Sequence, residues 1–147
     1  MFRGHFEHAI DEKGRTSLPA RFREVLGSDF RLVVTPALGD PCLDVYPMGA
    51  WERLEAKLAD LNAFDPQVIE FRRFYVSAAV EVEIDKQGRV LVPPSLREHA
   101  SLEKSVMWLG HGQKAELWSK ESWQALAREK NPVDLRELRA AMGRLGL

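Results

Sequence analysis

Cysteine, net charge and long apolar runs are all scarce in this sequence, and each scarcity excludes a class of protein. Because Cys42 is the only cysteine, no intramolecular disulfide can form, and its apolar neighbours Leu43 and Val45 favour a small buried thiol. No apolar run approaches the ~20 residues that a transmembrane helix requires. Residues 1–7 carry charge and lack the apolar core of a secretion signal. We therefore expect a cytoplasmic protein that has no membrane partner.

Residue combinations that perform catalysis or bind metals are also missing. His5 and His8 are three residues apart on a predicted strand, so they point to opposite faces, and no cysteine or carboxylate cluster completes a metal site. His99 and His111 have no evident nucleophile or orienting partner beside them. No phosphate-binding loop, dinucleotide fingerprint or nucleophile elbow is present. The sequence predicts no enzyme, no catalytic residue, no metal site, no cofactor and no small-molecule substrate.

The charge balance constrains how the chain could bind nucleic acid. The net charge is −1, whereas many DNA-binding domains are clearly basic. The composition, with 45% hydrophobic and 29% charged residues, is that of a soluble globular protein. If the chain binds DNA, its positive charge is concentrated on one surface or multiplied by the association of several subunits.

What the sequence does contain is an internal duplication. When Asp11 is placed over Asp85, an offset of 74 residues, the two halves of the chain coincide at several positions. The coinciding residues are those that shape turns or carry positive charge: Gly14 and Gly88, Arg15 and Arg89, Pro19 and Pro93, Arg23 and Arg97. We divide the chain into modules 1–75 and 76–147. Because a module of about 70 residues buries a thin core alone, we expect the two to share one core with pseudo-twofold symmetry and exchanged strands.

Each copy predicts the same order of elements. A strand of alternating polarity is followed by an Asp-x-x-Gly turn, a second strand and a short helix that a proline opens. Two more strands and a helical region follow in each copy. The helical regions contain two apolar stripes with identical intervals, which we interpret as faces packed on the sheet: Trp51, Leu54, Leu58 and Leu61, and Leu135, Leu138, Met142 and Leu145.

The repeated turn resembles a known family. Asp11 to Arg15 with Pro19, repeated as Asp85 to Arg89 with Pro93, is similar to the AbrB/SpoVT/MazE-type swapped-hairpin DNA-binding module. The double copy, the Met-Phe-Arg-Gly opening and the Trp118 region narrow the resemblance to the MraZ family. The resemblance implies an α+β fold. It consists of two tandem swapped-hairpin βαβ modules, interlocked into one pseudo-twofold β-barrel-like core with flanking helices.

The resemblance also implies a function. Members of this family are sequence-specific DNA-binding transcriptional regulators of the division and cell-wall gene cluster, here expected to act as a repressor. The implied partners are double-stranded promoter DNA with short G-rich repeats and further copies of the chain, which form a ring-shaped homo-oligomer. The implied location is the cytoplasm, in association with the nucleoid. A non-DNA structural oligomer and an antitoxin-like protein-binding module of the same fold remain the alternatives.

Five basic residues are the candidate DNA contacts. The planar guanidinium groups of Arg15 and Arg89 suit guanine O6 and N7. Lys13 and Lys86, nearer the loop tips, suit phosphates, for which a point charge suffices. Arg3, near the start of the first strand, could reach either a base or a phosphate.

Four further residues are predicted to shape the loops. The Asp11 and Asp85 carboxylates would repel DNA if they pointed outward, so we expect them to accept hydrogen bonds from the turn and to orient the arginines. Gly14 and Gly88 supply a positive φ without steric cost. The second loop has Gln87 where the first has Lys13, which removes one charge from it.

Overall fold

The computed structural model describes all residues, 1–147, and confirms the α+β class. The strands are β1 (His5–Ala9), β2 (Arg15–Ser17), β3 (Arg31–Pro36), β4 (Cys42–Pro47), β5 (Val80–Glu83), β6 (Arg89–Leu91), β7 (Ser105–His111) and β8 (Lys114–Ser119). The helices are α1 (Ala20–Leu26), α2 (Met48–Ala59), α3 (Pro66–Phe71), α4 (Pro94–Ala100), α5 (Lys120–Glu129) and α6 (Pro132–Arg144). A π-helical turn, Arg72–Val76, continues α3. No helix has both the length and the apolar composition that crossing a bilayer requires.

The two halves of the chain exchange strands, as the duplication predicts. Six antiparallel strands form one sheet in the order β1-β7-β8-β4-β3-β5, so β1 pairs with a strand of the second half and β5 with a strand of the first. The registers of these two pairings are equivalent, because Ala9 opposes Ser105 as Glu83 opposes Arg31. At the centre, β4 and β8 pair with Asp44 opposite Glu116. The sheet therefore has a pseudo-twofold axis through its central strand pair.

The sheet does not close into a barrel. Strands β2 and β6 pair with each other in a separate two-stranded ribbon, and only an isolated bridge between Ile10 and Thr16 joins the ribbon to the region of β1. Pro19 and Pro93, which follow the ribbon strands, have no N–H to extend the pairing. The barrel-like core of the prediction is thus an open sheet accompanied by a short ribbon.

The main core contains side chains from both copies. Eighteen buried residues form it, including Phe22 of α1, Leu96 of α4 and Trp108 of β7. Cys42 is fully buried in a neighbouring cluster, as predicted, and burial raises the pKa of its thiol far above the usual range. Because each module contributes to one continuous core, the two modules stabilise each other.

The first apolar stripe packs as predicted at Trp51 and Leu58, but Leu61, beyond the end of α2, is 54% exposed. The second stripe, on α6, does not pack on the sheet. Trp51 is buried in a cluster with Val33 and Tyr75. In contrast, α6 has no buried residue, and Leu138 is 56% exposed, so the prediction that this stripe packs on the sheet is wrong. The physical reason is that α5 already covers this end of the sheet, where its Trp123 packs on the cluster around Trp118.

Candidate nucleic-acid interface

The first Asp-x-x-Gly-Arg loop is held together by one carboxylate. Asp11 Oδ1 accepts hydrogen bonds from the backbone N–H groups of Lys13 (3.0 Å) and Arg15 (2.8 Å), and Oδ2 accepts one from Arg15 Nε (2.8 Å). The Gly14 N–H donates to the Asp11 carbonyl at 3.0 Å, and Gly14 has a φ of 92°. The carboxylate therefore fixes the backbone of the turn and the direction of its arginine at once.

The second loop repeats this arrangement bond for bond. Asp85 Oδ1 accepts from the N–H groups of Gln87 and Arg89, both at 2.9 Å, and Oδ2 accepts from Arg89 Nε at 3.0 Å. Gly88 has a φ of 78°. The exchange of lysine for Gln87 leaves the geometry intact, because that position contributes only its backbone N–H to the network.

The hydrogen bonds stabilise both carboxylates in their charged form. The backbone N–H of Arg15 lowers the pKa of Asp11 most, and that of Arg89 lowers the pKa of Asp85 most. Both aspartates are therefore ionised at neutral pH, when their arginine partners are also charged. Each loop thus presents an ion pair in place of a free negative charge.

The two arginines keep part of their hydrogen-bonding capacity free. The side chains of Arg15 and Arg89 are 36% and 33% exposed, and each bonds its aspartate through Nε. No hydrogen bond within the chain engages the terminal nitrogens of either guanidinium. These nitrogens form the end of a rigid fork, which suits two adjacent acceptors on one partner.

The ribbon places both arginines on one face. Thr16 and Val90 oppose each other in the centre of the ribbon and are 1% and 2% exposed, so they point into the protein. Because side chains alternate along a strand, the residues on either side of them point outward. Arg15 opposes Leu91 and Arg89 opposes Ser17, which separates the two arginines by roughly 7 Å along the ribbon.

Each loop is braced by the other copy. The Val92 N–H donates to the Gly14 carbonyl at 2.8 Å, and the Leu18 N–H donates to the Gly88 carbonyl at 2.9 Å. The two loops are therefore the two ends of one continuous hydrogen-bonded structure.

Two further arginines, Arg23 and Arg97, support the loops. Neither forms a salt bridge within the chain. The Arg97 guanidinium lies against Gly14 of the first loop, 2.6 Å from where a Cβ would stand, and Arg23 lies equally tightly against Gly88. Arg97 Nε also donates to the Val92 carbonyl at 3.0 Å. The signal available in the sequence was that both arginines recur at the repeat offset.

The remaining predicted contacts differ in position. Lys13 and Lys86 lie within the loops and are exposed. Arg3 is also exposed but lies before β1, at the opposite end of this strand from Asp11, where it lines a small pocket with Glu24 of α1. The structure thus places four of the five candidate basic residues on the ribbon and its two loops, and it leaves Arg3 apart.

One cluster has the composition of a metal site. Sγ of Cys42 and carboxylate oxygens of Asp44 and Glu116 lie within 4.8 Å of one another. Protein groups already surround these carboxylates. Lys114 Nζ lies 2.9 Å from Asp44 Oδ1, close enough for an ion pair although not in hydrogen-bond geometry, and Tyr75 donates to Asp44 Oδ2 at 2.5 Å. The cluster is consistent with a structural network across the pseudo-twofold axis.

The fold and the loops together define a class of protein. The chain is a duplicated α+β module whose copies exchange hairpin strands and present two equivalent arginine loops. The family model described as "MraZ protein, putative antitoxin-like" matches residues 1–74 and again residues 75–143. The chain belongs to this family.

Curated relatives support this assignment over most or all of the chain. The chain is similar to the Transcriptional regulator MraZ of Heliobacterium modesticaldum, with 50% identity over 132 residues, which is 90% of each chain. It is 49% identical over 124 residues to a Thermoanaerobacter sp. protein of the same name, covering 84% of this chain and 85% of the relative. The corresponding protein of Acetivibrio thermocellus is 42% identical over the full length of both chains. The family is one of transcriptional regulators, in agreement with the predicted absence of catalysis.

Proposed function

We propose that the chain regulates transcription by binding double-stranded DNA through the outward face of the β2–β6 ribbon and its two Asp-x-x-Gly-Arg loops. The observation that carries the proposal is the pair of arginines, Arg15 and Arg89, oriented by carboxylates and free at their terminal nitrogens. The name of the relatives, transcriptional regulator, supports the same assignment.

The chemistry of the loops favours guanine as the base that is read. Guanine offers O6 and N7 as adjacent acceptors in the major groove, and a guanidinium fork can bond both at once. A two-stranded ribbon is narrow enough to enter that groove. The roughly 7 Å between the arginines along the ribbon corresponds to about two base-pair steps of B-DNA. Guanines in close succession would therefore suit both loops of one chain.

The lysines contribute affinity in a way that does not depend on sequence. We expect Lys13 and Lys86 to contact phosphates beside the bases that the arginines bind. Each neutralised phosphate releases counterions, so binding should weaken steeply with salt. Because the chain has a net charge of −1, the attraction comes from the local concentration of positive charge around the loops.

Several subunits acting together make such small contacts effective. Two loops offer a limited interface, whereas a ring-shaped homo-oligomer presents many loops to repeated sites at a high effective concentration. We extend the proposal, on the family resemblance, to short G-rich repeats in the promoter of the division and cell-wall gene cluster, to repression and to association with the nucleoid. Within each subunit the functional modules are 1–75 and 76–147, each supplying one loop.

A double substitution tests the proposal. Arg15→Ala with Arg89→Ala should lower the affinity for a duplex carrying two G-rich repeats by at least about 30-fold, since each fork is worth ~1–3 kcal/mol and 1.4 kcal/mol is about tenfold. The matched control is Arg73→Ala on the π-helical turn, which removes one exposed arginine away from the ribbon. Binding is measured by fluorescence anisotropy, and oligomeric state by light scattering. Unchanged DNA affinity in a correctly assembled double variant would refute the assigned loops.

The lysine and arginine roles can then be separated. Lys13→Gln and Lys86→Gln should reduce the slope of affinity against salt by about one unit each and leave the preference for G-rich DNA intact. Replacing Arg15 and Arg89 by lysine keeps the charge but removes the fork, so it should abolish that preference. If the lysine variants lost the preference instead, the roles of the two residue types would be reversed.

A further inference from the structure

Helix α6 presents an apolar face that nothing in the chain covers. It is thirteen residues long, begins at a capping box formed by Asn131 and Asp134, and has no buried residue. Leu135 and Leu138 lie on one side of it and are 53% and 56% exposed, and Leu145, which follows its last residue, is 77% exposed. A stable helix that exposes a continuous leucine stripe has the character of an interface element.

The chain also contains an apolar groove that nothing fills. The groove lies between α2 and α3, measures about 520 Å³ and has side chains of both helices and of their connection along its walls. Its apolar lining is Leu54, Leu58, Leu61, Val68 and Phe71. Leu61 lies beyond the end of α2 and is 54% exposed, so the groove opens toward solvent.

Each half of the chain has one of these uncovered apolar surfaces: the α2–α3 groove belongs to the first half and helix α6 to the second. In the first half, the π-helical turn after α3 brings Tyr75 against Trp51 and closes the packing of α2 on the sheet. In the second half, no residue of α6 is buried. Each subunit therefore carries one apolar helix without a groove and one groove without a helix.

We propose that α6 of one subunit lies in the α2–α3 groove of a second copy of the chain. The proposal deepens the proposed function, on which it rests, by naming the surfaces through which subunits assemble. The contact is head to tail, because one subunit contributes α6 and the next subunit contributes the α2–α3 groove. Repeated contacts of this type generate a ring when the rotation between subunits closes.

The charges of the two surfaces favour this pairing. Helix α6 carries three arginines and two acidic residues: Arg136, Arg139, Arg144, Asp134 and Glu137. Residues 48–71, which include α2 and α3, carry five acidic and two basic residues. Opposite net charges around complementary apolar surfaces steer association and disfavour the pairing of two α6 helices or of two grooves.

Matched single substitutions test each surface in the absence of DNA. Leu138→Asp places a charge in the stripe of α6, and Leu61→Asp places one at the mouth of the groove; both positions are more than half exposed, so the subunit fold should persist. The control is Ala140→Asp, which adds the same charge to the opposite side of α6. Masses are measured by light scattering, and folding by circular dichroism.

The expected result is an oligomer for the wild-type chain and for Ala140→Asp, and a 16.7 kDa monomer for each of the two leucine variants. The two monomeric variants should then complement each other when mixed. Leu61→Asp retains an intact α6 and Leu138→Asp retains an intact groove, so one productive contact remains and a heterodimer of about twice the subunit mass should form.

Each other outcome overturns the inference. A leucine variant that remains fully oligomeric shows that its surface is not the interface, and two monomeric variants that fail to form a heterodimer show that α6 contacts some other surface. A monomeric wild-type chain shows that α6 occupies no groove of a second copy. DNA affinity for a single repeat, measured separately on the monomeric variants, reports on the loops alone, so failure of the assembly inference is distinguishable from failure of the proposed function.

Discussion

The two loop glycines should respond differently to the addition of one methyl group. Gly14 and Gly88 both have a positive φ, which costs an L-residue about 1–2 kcal/mol wherever it occurs. A Cβ on Gly14 would stand 2.8 Å from the Val92 carbonyl oxygen, which belongs to the backbone of the ribbon. A Cβ on Gly88 would instead meet the Arg23 guanidinium, the end of a flexible side chain.

The difference between backbone and side chain sets the expected magnitudes. Gly39 has a φ of 85° and open space where its Cβ would stand, so Gly39→Ala measures the φ cost alone. Gly88→Ala should lie close to this control, because Arg23 can rotate away. Gly14→Ala should exceed it by about 1–3 kcal/mol, since the clash can be relieved only by a shift of the ribbon. In a domain of this size the excess corresponds to a further fall in Tm of roughly 3–9 °C.

The assay is thermal unfolding of the three alanine variants, followed by circular dichroism at equal protein concentration. A second comparison measures Gly88→Ala in an Arg23→Ala background, where any small excess over Gly39→Ala that comes from displacing the arginine should disappear. If Gly14→Ala were no less stable than Gly39→Ala, the close approach of the two copies at the loop would play no part in stability and the reasoning would be refuted.

Three further predictions concern titration, the buried ion pair and the thiol. In carbon-detected NMR, the pKa values of the Asp11 and Asp85 carboxyls should lie below the ordinary aspartate value. Because a lowered folded-state pKa stabilises the fold above the unfolded-state pKa, this contribution should disappear as the pH falls through the lowered pKa. An ordinary or raised pKa at either carboxyl would contradict the hydrogen-bond network. Lys114→Met should lower the free energy of urea unfolding by about 3 kcal/mol, because Asp44, whose side chain is 4% exposed, would lose its ion pair beside Glu116. The control is Lys120→Met at the exposed pair with Glu7, which should change the free energy of unfolding by less than about 1 kcal/mol. Equal effects of the two substitutions would exclude a special role for the buried pair. Cys42 should react with a disulfide reagent only after unfolding, because the thiol is fully buried and its pKa is raised. Rapid reaction of the folded protein would contradict the burial of this side chain.

The sequence was informative wherever a local pattern and the duplication agreed. Asp11 and Gly14 predict a turn through the chemistry of their own residues, and the recurrence at Asp85 and Gly88 predicts a symmetric pair of turns. The exchange of strands followed from the thin core of one module. Such features depend on short-range geometry and on symmetry, which a sequence displays directly.

Other features depend on distances between residues far apart in the chain. The apolar stripe of α6 shows that Leu138 requires a partner, but the interval between leucines does not say whether the partner is the same sheet or another subunit. Arg97 has the sequence context of a surface residue on a short helix, and its position against Gly14 follows only from the exchange of strands. The opposition of Asp44 and Glu116 likewise depends on the register of β4 and β8.

The interlocked sheet also bears on how such a chain could have arisen. Since each half completes its hydrogen bonding with strands from the other, a single half on its own would leave the edges of β3 or β7 bare and would be complete only as a true symmetric homodimer. Joining two such halves by one peptide linkage turns that dimer into a monomer whose sites are no longer forced to be identical. The two loops already differ in this way: the second has Lys86 and Gln87 where the first has Glu12 and Lys13, so one loop can change while its twin is kept.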